Sequence, residues 1–343
     1  VKNFIYYFLV AVVFISIGWF ANFAYHLPRN SNPIAAVRPT PLAKYTIENL
    51  SKISVAPSEI QIGKVIKDNP NFTSYEFTFS FDPKFANGPE KTVSGLINIP
   101  KGDGAFPVIV MFRGYVDQTK YFIGEGTQHA AEIFAKNGYI TIAPDFLGYG
   151  DSSQESFDTF ESRFQTYTTA METLKSVEAL KEAPLKVGSN TIKTDGNIFI
   201  WAHSNGGQIA LTTLEITGVT YPTVLWAPVS KPFPYSILYY LDESPDSGKY
   251  IITHLADFMA DYDVTKYSLT NYIGNIKAEI QLNQGTNDDA VPFTWSDALD
   301  KEFKDATVSA SLIKYPGADH NMQPTWSVTV ANNLKFFNDH LVK

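Results

Sequence analysis

Ile198-Phe199-Ile200-Trp201-Ala202-His203-Ser204-Asn205-Gly206-Gly207 is the stretch on which the reading of this chain turns. A continuous apolar run ends at a serine, and a helical pattern opens at once from Asn205 to Thr217. A serine on a tight strand-to-helix turn needs small residues two before and two after it, because the two backbones approach closely there. Ala202 and Gly206 meet that need; glycine is usual at the first position, and alanine is a small departure. The turn lifts the Ser204 hydroxyl above the sheet. It also aims the Asn205 N–H, at a helix N-terminus, toward developing negative charge. A plain N-cap serine also starts a helix, but it explains neither the strand before nor the glycine pair after.

Working outward, Tyr75 to Phe81 and Thr92 to Ile99 alternate as half-buried strands across a turn at Asn87-Gly88-Pro89. Short continuous apolar runs then recur: Val108 to Phe112, Tyr139 to Ala143, Ile198 to Ala202, Thr223 to Ala227, Ile280 to Asn283 and Val308 to Lys314. Such runs mark strands buried on both faces, as in a parallel sheet covered by helices. Helical patterns separate them at Gln128 to Asn137, Phe160 to Glu182, Asn205 to Thr217, Thr294 to Phe303 and Thr325 to Leu341. The expectation is one doubly wound α/β domain with a mostly parallel, eight-stranded sheet and helices on both faces. Ligands in such sheets bind at the carboxyl ends of the strands.

A serine hydroxyl is a weak nucleophile and needs a base. Of six histidines, His320 alone sits in a loop directly after the last strand, in Tyr315-Pro316-Gly317-Ala318-Asp319-His320-Asn321. That places it on the same rim as Ser204. The base needs an acceptor to hold its tautomer. Asp288 and Asp289 follow the preceding strand, and the chain order serine, aspartate, histidine suits an α/β-hydrolase fold; spacing alone does not choose between them. A second oxyanion donor is expected in the loop Arg113-Gly114-Tyr115, from the Tyr115 N–H beside that of Asn205.

These residues carry a resemblance to the catalytic domain of the prolyl oligopeptidase family and its esterase relatives. It rests on Phe134 to Asp145 with Gly148-Tyr149-Gly150, on the serine turn, on Gly285 to Pro292 and on Tyr315 to His320. It spans roughly Thr92 to the C-terminus. In the family's Gly-x-x-Asp-x-x-Val-Pro pattern the triad carboxylate aligns with Asp288. The resemblance implies a serine hydrolase that needs no cofactor or metal and acts on small esters or short peptides. Two departures, Arg113 where the family has histidine and Gln284 before Gly285, imply altered substrate contacts. The stretch 28–57 is too short for the β-propeller of many family peptidases. Residues 231–266 read as a small aromatic cap, with Phe233 and Tyr235, together with Arg113, expected at the substrate pocket. The rival reading is a membrane-tethered binding protein that keeps the fold without catalysis.

Phe4 to Tyr25 carries no charge. At ~1.5 Å per residue it can cross a ~30 Å hydrocarbon core. Tyr6, Tyr7, Trp19 and Tyr25 suit interfacial belts. Residues 1–27 are therefore expected to form a transmembrane anchor; a cleaved signal would need a better site than Asn22-Phe23-Ala24. Residues 28–57 read as a Pro-rich linker and 58–343 as the catalytic domain, held on the extracytoplasmic side. The net charge of −8, without a basic cluster, argues against nucleic acid. With no cysteine, disulfides, thiolate metal sites and a thiol nucleophile are excluded. The sequence leaves the oligomeric state open.

Overall fold

The structure, a computed structural model, describes residues 39–243 and 246–342. The folded unit begins at Pro41. Its strands are β1 (Gln61–Asp68), β2 (Phe72–Phe81), β3 (Lys91–Pro100), β4 (Ala105–Phe112), β5 (Ile140–Pro144), β6 (Leu185–Val187), β7 (Asn190–His203), β8 (Thr223–Trp226), β9 (Ile280–Gly285) and β10 (Ala310–Tyr315). They form a ten-stranded sheet in the order β1-β2-β3-β5-β4-β7-β8-β9-β10, with β6 paired to β7. From β5 through β10 the neighbours are parallel, while β1, β2 and β3 are joined antiparallel. This is an α/β-hydrolase architecture.

Eight strands were expected and ten are found. The two extra ones, β1 and β6, lie where burial gives no signal. β1 is an edge strand, exposed along nearly all its length. β6 pairs with the solvent-facing, polar first half of β7. A ladder in water needs backbone partners but no apolar pattern.

Alternate residues of each central strand feed two cores. Val108, Val110 and Phe112 of β4 face one side with Ile200, Ala202 and Leu282. Ile109 and Met111 face the other with Phe199, Trp201 and Trp226. The first core is covered by α2 (Thr159–Ala179), α3 (Asn205–Thr217), α4 (Lys249–Asp261) and α5 (Phe293–Asp305), the second by α1 (Gln128–Lys136) and α6 (Trp326–Asp339). Thus β5, β8, β9 and the second half of β7 are buried on both faces, as their continuous apolar runs predict, whereas β10 at the sheet edge is only partly buried.

The linker expected over 28–57 ends earlier. Pro41–Tyr45 and Ile47–Leu50 form short helical turns whose Leu42, Tyr45, Ile47 and Leu50 are buried. Tyr45 donates its hydroxyl to Glu161 Oε1 at 3.1 Å. The anchor expected over residues 1–27 lies outside the described residues; among the described residues no helix is long and apolar enough to cross a membrane.

Helix α3 ends on an anomaly. Glu215 is buried, and neither carboxylate oxygen has a hydrogen-bond partner. Burial first, then the charge of Glu302, pushes its carboxyl well above the ordinary range. The folded chain therefore keeps a proton that the unfolded chain has released above ~4.3, so this group costs stability as pH rises toward its folded value. Glu215→Leu is expected to raise Tm, with a wider gap over the wild type at pH 8 than at pH 5. Thermal melts at both pH values check this, and a gap that does not widen refutes it.

Candidate active site

Ser204 stands between β7 and α3 with φ 56° and ψ −122°, in the left-handed half of backbone space that a serine seldom occupies. Neighbours hold it there. Its N–H donates to Trp226 O at 2.9 Å, and its carbonyl accepts from Val229 N–H at 3.0 Å. The next turn presses on β4: a Cβ on Gly206 would lie 2.1 Å from Phe112 O, and one on Gly207 2.4 Å from Pro228 Cβ. The close approach inferred from the small residues is thus a backbone contact between α3 and the end of β4.

That contact brings the loop after β4 to the serine. A Cβ on Gly114 would sit 3.0 Å from Ser204 Cβ and 3.5 Å from its Oγ. The N–H of the following Tyr115 makes no hydrogen bond among the described residues. Asn205 opens α3, where the first N–H groups lack intrahelical acceptors. These are the two N–H groups named from sequence as candidate oxyanion donors.

At the neighbouring strand ends, Gly285 plays the part of Gly206. A Cβ there would lie 2.3 Å from Ala318 O, so the loop after β9 packs against the loop after β10. His320 Nδ1 lies 2.9 Å from Asp288 Oδ2 and 3.1 Å from Oδ1. A carboxylate can only accept, so Nδ1 carries the proton and Nε2 is left with its lone pair free to accept. Asp288 Oδ1 also accepts from the N–H groups of Ala290 at 3.0 Å and Val291 at 2.8 Å. Burial opposes its charge, but the hydrogen bonds from His320 and Val291 outweigh burial and hold the carboxyl below its usual value. Asp289 is exposed. Among the described residues no hydrogen bond joins the Ser204 hydroxyl to the imidazole.

Two positioning contacts were not anticipated. His203 has its ring centroid 4.6 Å from that of His320. Its Nε2 lies 3.0 Å from His320 O, and a carbonyl accepts, so His203 donates. Burial, then the nearby His320, lowers its pKa to about 4, so it is a neutral prop beneath the base. Gln284 is buried, donates to Asp288 Oδ2 at 2.9 Å and accepts from Ser296 Oγ at 2.7 Å. The substrate contact expected from Gln284 is instead a contact to the aspartate. A polar residue inside the apolar run of β9 was the available signal.

A cavity of about 190 Å³ opens beside these residues, with Arg113, Tyr115, Tyr149, Arg163, Asn205 and Gln208 in its wall. Arg113 is 6 % exposed. It donates to Gly114 O at 3.0 Å and Asp145 O at 2.8 Å, and it lies 3.9 Å over the Tyr149 ring. It therefore ties the loop beside Ser204 to the end of β5. Phe233 and Tyr235, expected at the pocket, do not line this cavity. Phe233 is buried among Phe160, Phe164 and Phe258. Tyr235 stacks near Trp295. The aromatic segment 231–266 holds itself to α2 and α5, because its rings find apolar partners there rather than over the serine.

Residues 126–343 match the family model described as the prolyl oligopeptidase family. The chain belongs to that family. No curated protein matches it by sequence. Among solved structures it is similar to acetyl xylan esterase 1 from Thermoanaerobacterium sp., at 15 % identity and TM-score 0.59 over 88 % of this chain and 94 % of that one. An acetyl xylan esterase from Paenibacillus sp. R4 gives 16 % and 0.58, over 86 % and 92 %. A putative dipeptidyl aminopeptidase IV from Bacteroides ovatus gives 17 % and 0.51, over 83 % of this chain and 36 % of that one. At such identities the likeness is one of fold. Family and neighbours point to a hydrolase, an esterase or a peptidase.

The family's turn leaves no space for a methyl group at residue 206. Gly206→Ala is expected to cost about 1–3 kcal/mol or more. Gly274→Ala, which meets nothing within 4 Å, should stay within about 0.5 kcal/mol. Urea midpoints compare the two, and equal midpoints refute the contact.

Proposed function

We propose that the protein is a serine hydrolase that transfers an acyl group to water through Ser204, His320 and Asp288. The observation that carries this reading is the Asp288 carboxylate at 2.9 Å from His320 Nδ1, on the strand-end rim that also carries Ser204 in its strained turn. His320 Nε2 takes the proton of the Ser204 hydroxyl as Oγ attacks a carbonyl carbon. The tetrahedral oxyanion is held by the N–H groups of Tyr115 and Asn205. His320 then returns the proton to the leaving alcohol or amine, and water repeats the cycle on the acyl-enzyme. Catalytic pairs of this kind often close their hydrogen bond only when substrate arrives.

Carboxylic esters and short-peptide amides both fit this chemistry. The modest cavity supports a small acyl or leaving group. The uncharged run 4–25 supports a membrane-tethered placement with the catalytic domain on the extracytoplasmic side.

Ser204→Ala is expected to lower turnover of p-nitrophenyl butyrate at least ~10³-fold. Asp288→Asn should lower kcat by about 10³–10⁴, because the wrong tautomer is then held, whereas Asp289→Asn should stay within about threefold. Steady-state kinetics test both, and wild-type turnover in the serine variant would end the proposal. Parallel assays on p-nitrophenyl esters and Xaa-Pro anilides separate esterase from peptidase.

A further inference from the structure

The cavity beside Ser204 carries a charge that its own walls leave unanswered. Two guanidinium groups line it, Arg113 and Arg163, against one carboxylate, Glu155. Glu155 is engaged elsewhere: it accepts from Gln118 Nε2 at 3.3 Å and from the Ser162 hydroxyl. Among the described residues neither arginine has a carboxylate within ion-pair distance. Arg113 spends its terminal nitrogens on the carbonyls of Gly114 and Asp145. Arg163 donates to a neutral acceptor, Gln208 Oε1, at 2.7 Å. The Nε of each is buried and has no hydrogen-bond partner among the described residues.

A buried cation is ordinarily paired, because removing it from water is costly. Here a buried guanidinium, Arg113, and a half-buried one, Arg163, meet in one small cavity, in a chain whose net charge is −8. The N-terminus of α3 opens into the same space through Asn205 and adds its positive end. Glu155 in the wall and the buried Asp145 carboxyl beside Arg113 oppose an anion, while both guanidinium groups and the helix end favour one. Carboxylates suit guanidinium because its N–H fork matches their two oxygens.

We propose that this cavity is an anion subsite, and that the substrate carries a carboxylate on the part that lies against Arg113 and Arg163. The inference rests on the hydrolase reading above and deepens it by naming the substrate class. Arg163 is the specificity residue. Arg113, tied to the loop that presents the Tyr115 N–H, serves the subsite and the oxyanion site together.

Two matched pairs of esters test this. The acyl pair is mono-p-nitrophenyl glutarate against p-nitrophenyl butyrate. The leaving-group pair is 3-carboxyphenyl butyrate against phenyl butyrate. In at least one pair the carboxylate ester should be favoured in kcat/KM by about tenfold or more. Arg163→Gln should bring that ratio toward one, chiefly through KM of the charged ester. A neutral ester favoured in both pairs, or a ratio untouched by Arg163→Gln, overturns the inference. Should the variant fail to fold, the wild type still decides: glutarate should inhibit phenyl butyrate hydrolysis at least about tenfold more tightly than glutaramide, and equal inhibition refutes it. Fluorophosphonate labelling of the same preparation separates the two levels. Protein labelled at Ser204 but without the preference sinks the subsite alone; unlabelled protein sinks the hydrolase reading and the subsite with it.

Discussion

The contact between the first turn of α3 and the carbonyl of Phe112 sets the geometry of everything at the strand ends. Ser204 occupies a backbone conformation that costs a non-glycine residue about 1–3 kcal/mol. It stays there because its N–H and carbonyl are pinned to Trp226 and Val229 and because Gly206 lets α3 press flat on β4. The same pressure seats Gly114 against the serine. Strain at Ser204 and the seat of the loop after β4 are thus one constraint seen two ways.

A second constraint, of the same kind, lies across the sheet. Gly285 lets the loop after β9 meet the backbone of Ala318, and the hydrogen bonds from Asn287 N–H to Ala318 O and from Gly317 N–H to Thr286 Oγ1 lock the two loops together. Beneath them is a buried polar shell: His203 on the His320 carbonyl, Gln284 on Asp288, Arg113 on Gly114 and Asp145. His203 and Gln284 are buried and bonded to His320 and Asp288, and Arg113 bonds two loop carbonyls. Polar groups in such places cost free energy unless they are paired. Their pairing therefore doubles as alignment of the site. Arg113 and Arg163 depart from that economy, since each keeps an Nε with nothing to donate to.

Much of this was legible beforehand, for a local reason. Continuous apolar runs report burial on both faces, so the central parallel strands were found; β1 and β6 were not, because a solvated ladder leaves no such trace. Small residues around Ser204 and Gly285 mark close backbone approach, which is a steric demand that only a few side chains satisfy. The aromatic segment 231–266 misled, since aromatic composition announces burial without naming a partner, and Phe233 found Phe160 and Phe258 rather than a substrate.

By itself the sequence determined the order of strands and helices in the central sheet, the family, and which serine, histidine and pair of aspartates stand at strand ends. Those properties depend on short-range pattern and on local steric need. Only the tertiary structure put Asp288 within 2.9 Å of His320 Nδ1, bonded His203 to the His320 carbonyl and Gln284 to Asp288, and set two arginines from separate elements around one cavity. Each of these depends on distances between residues far apart in the chain, and such distances exist only once the sheet has assembled.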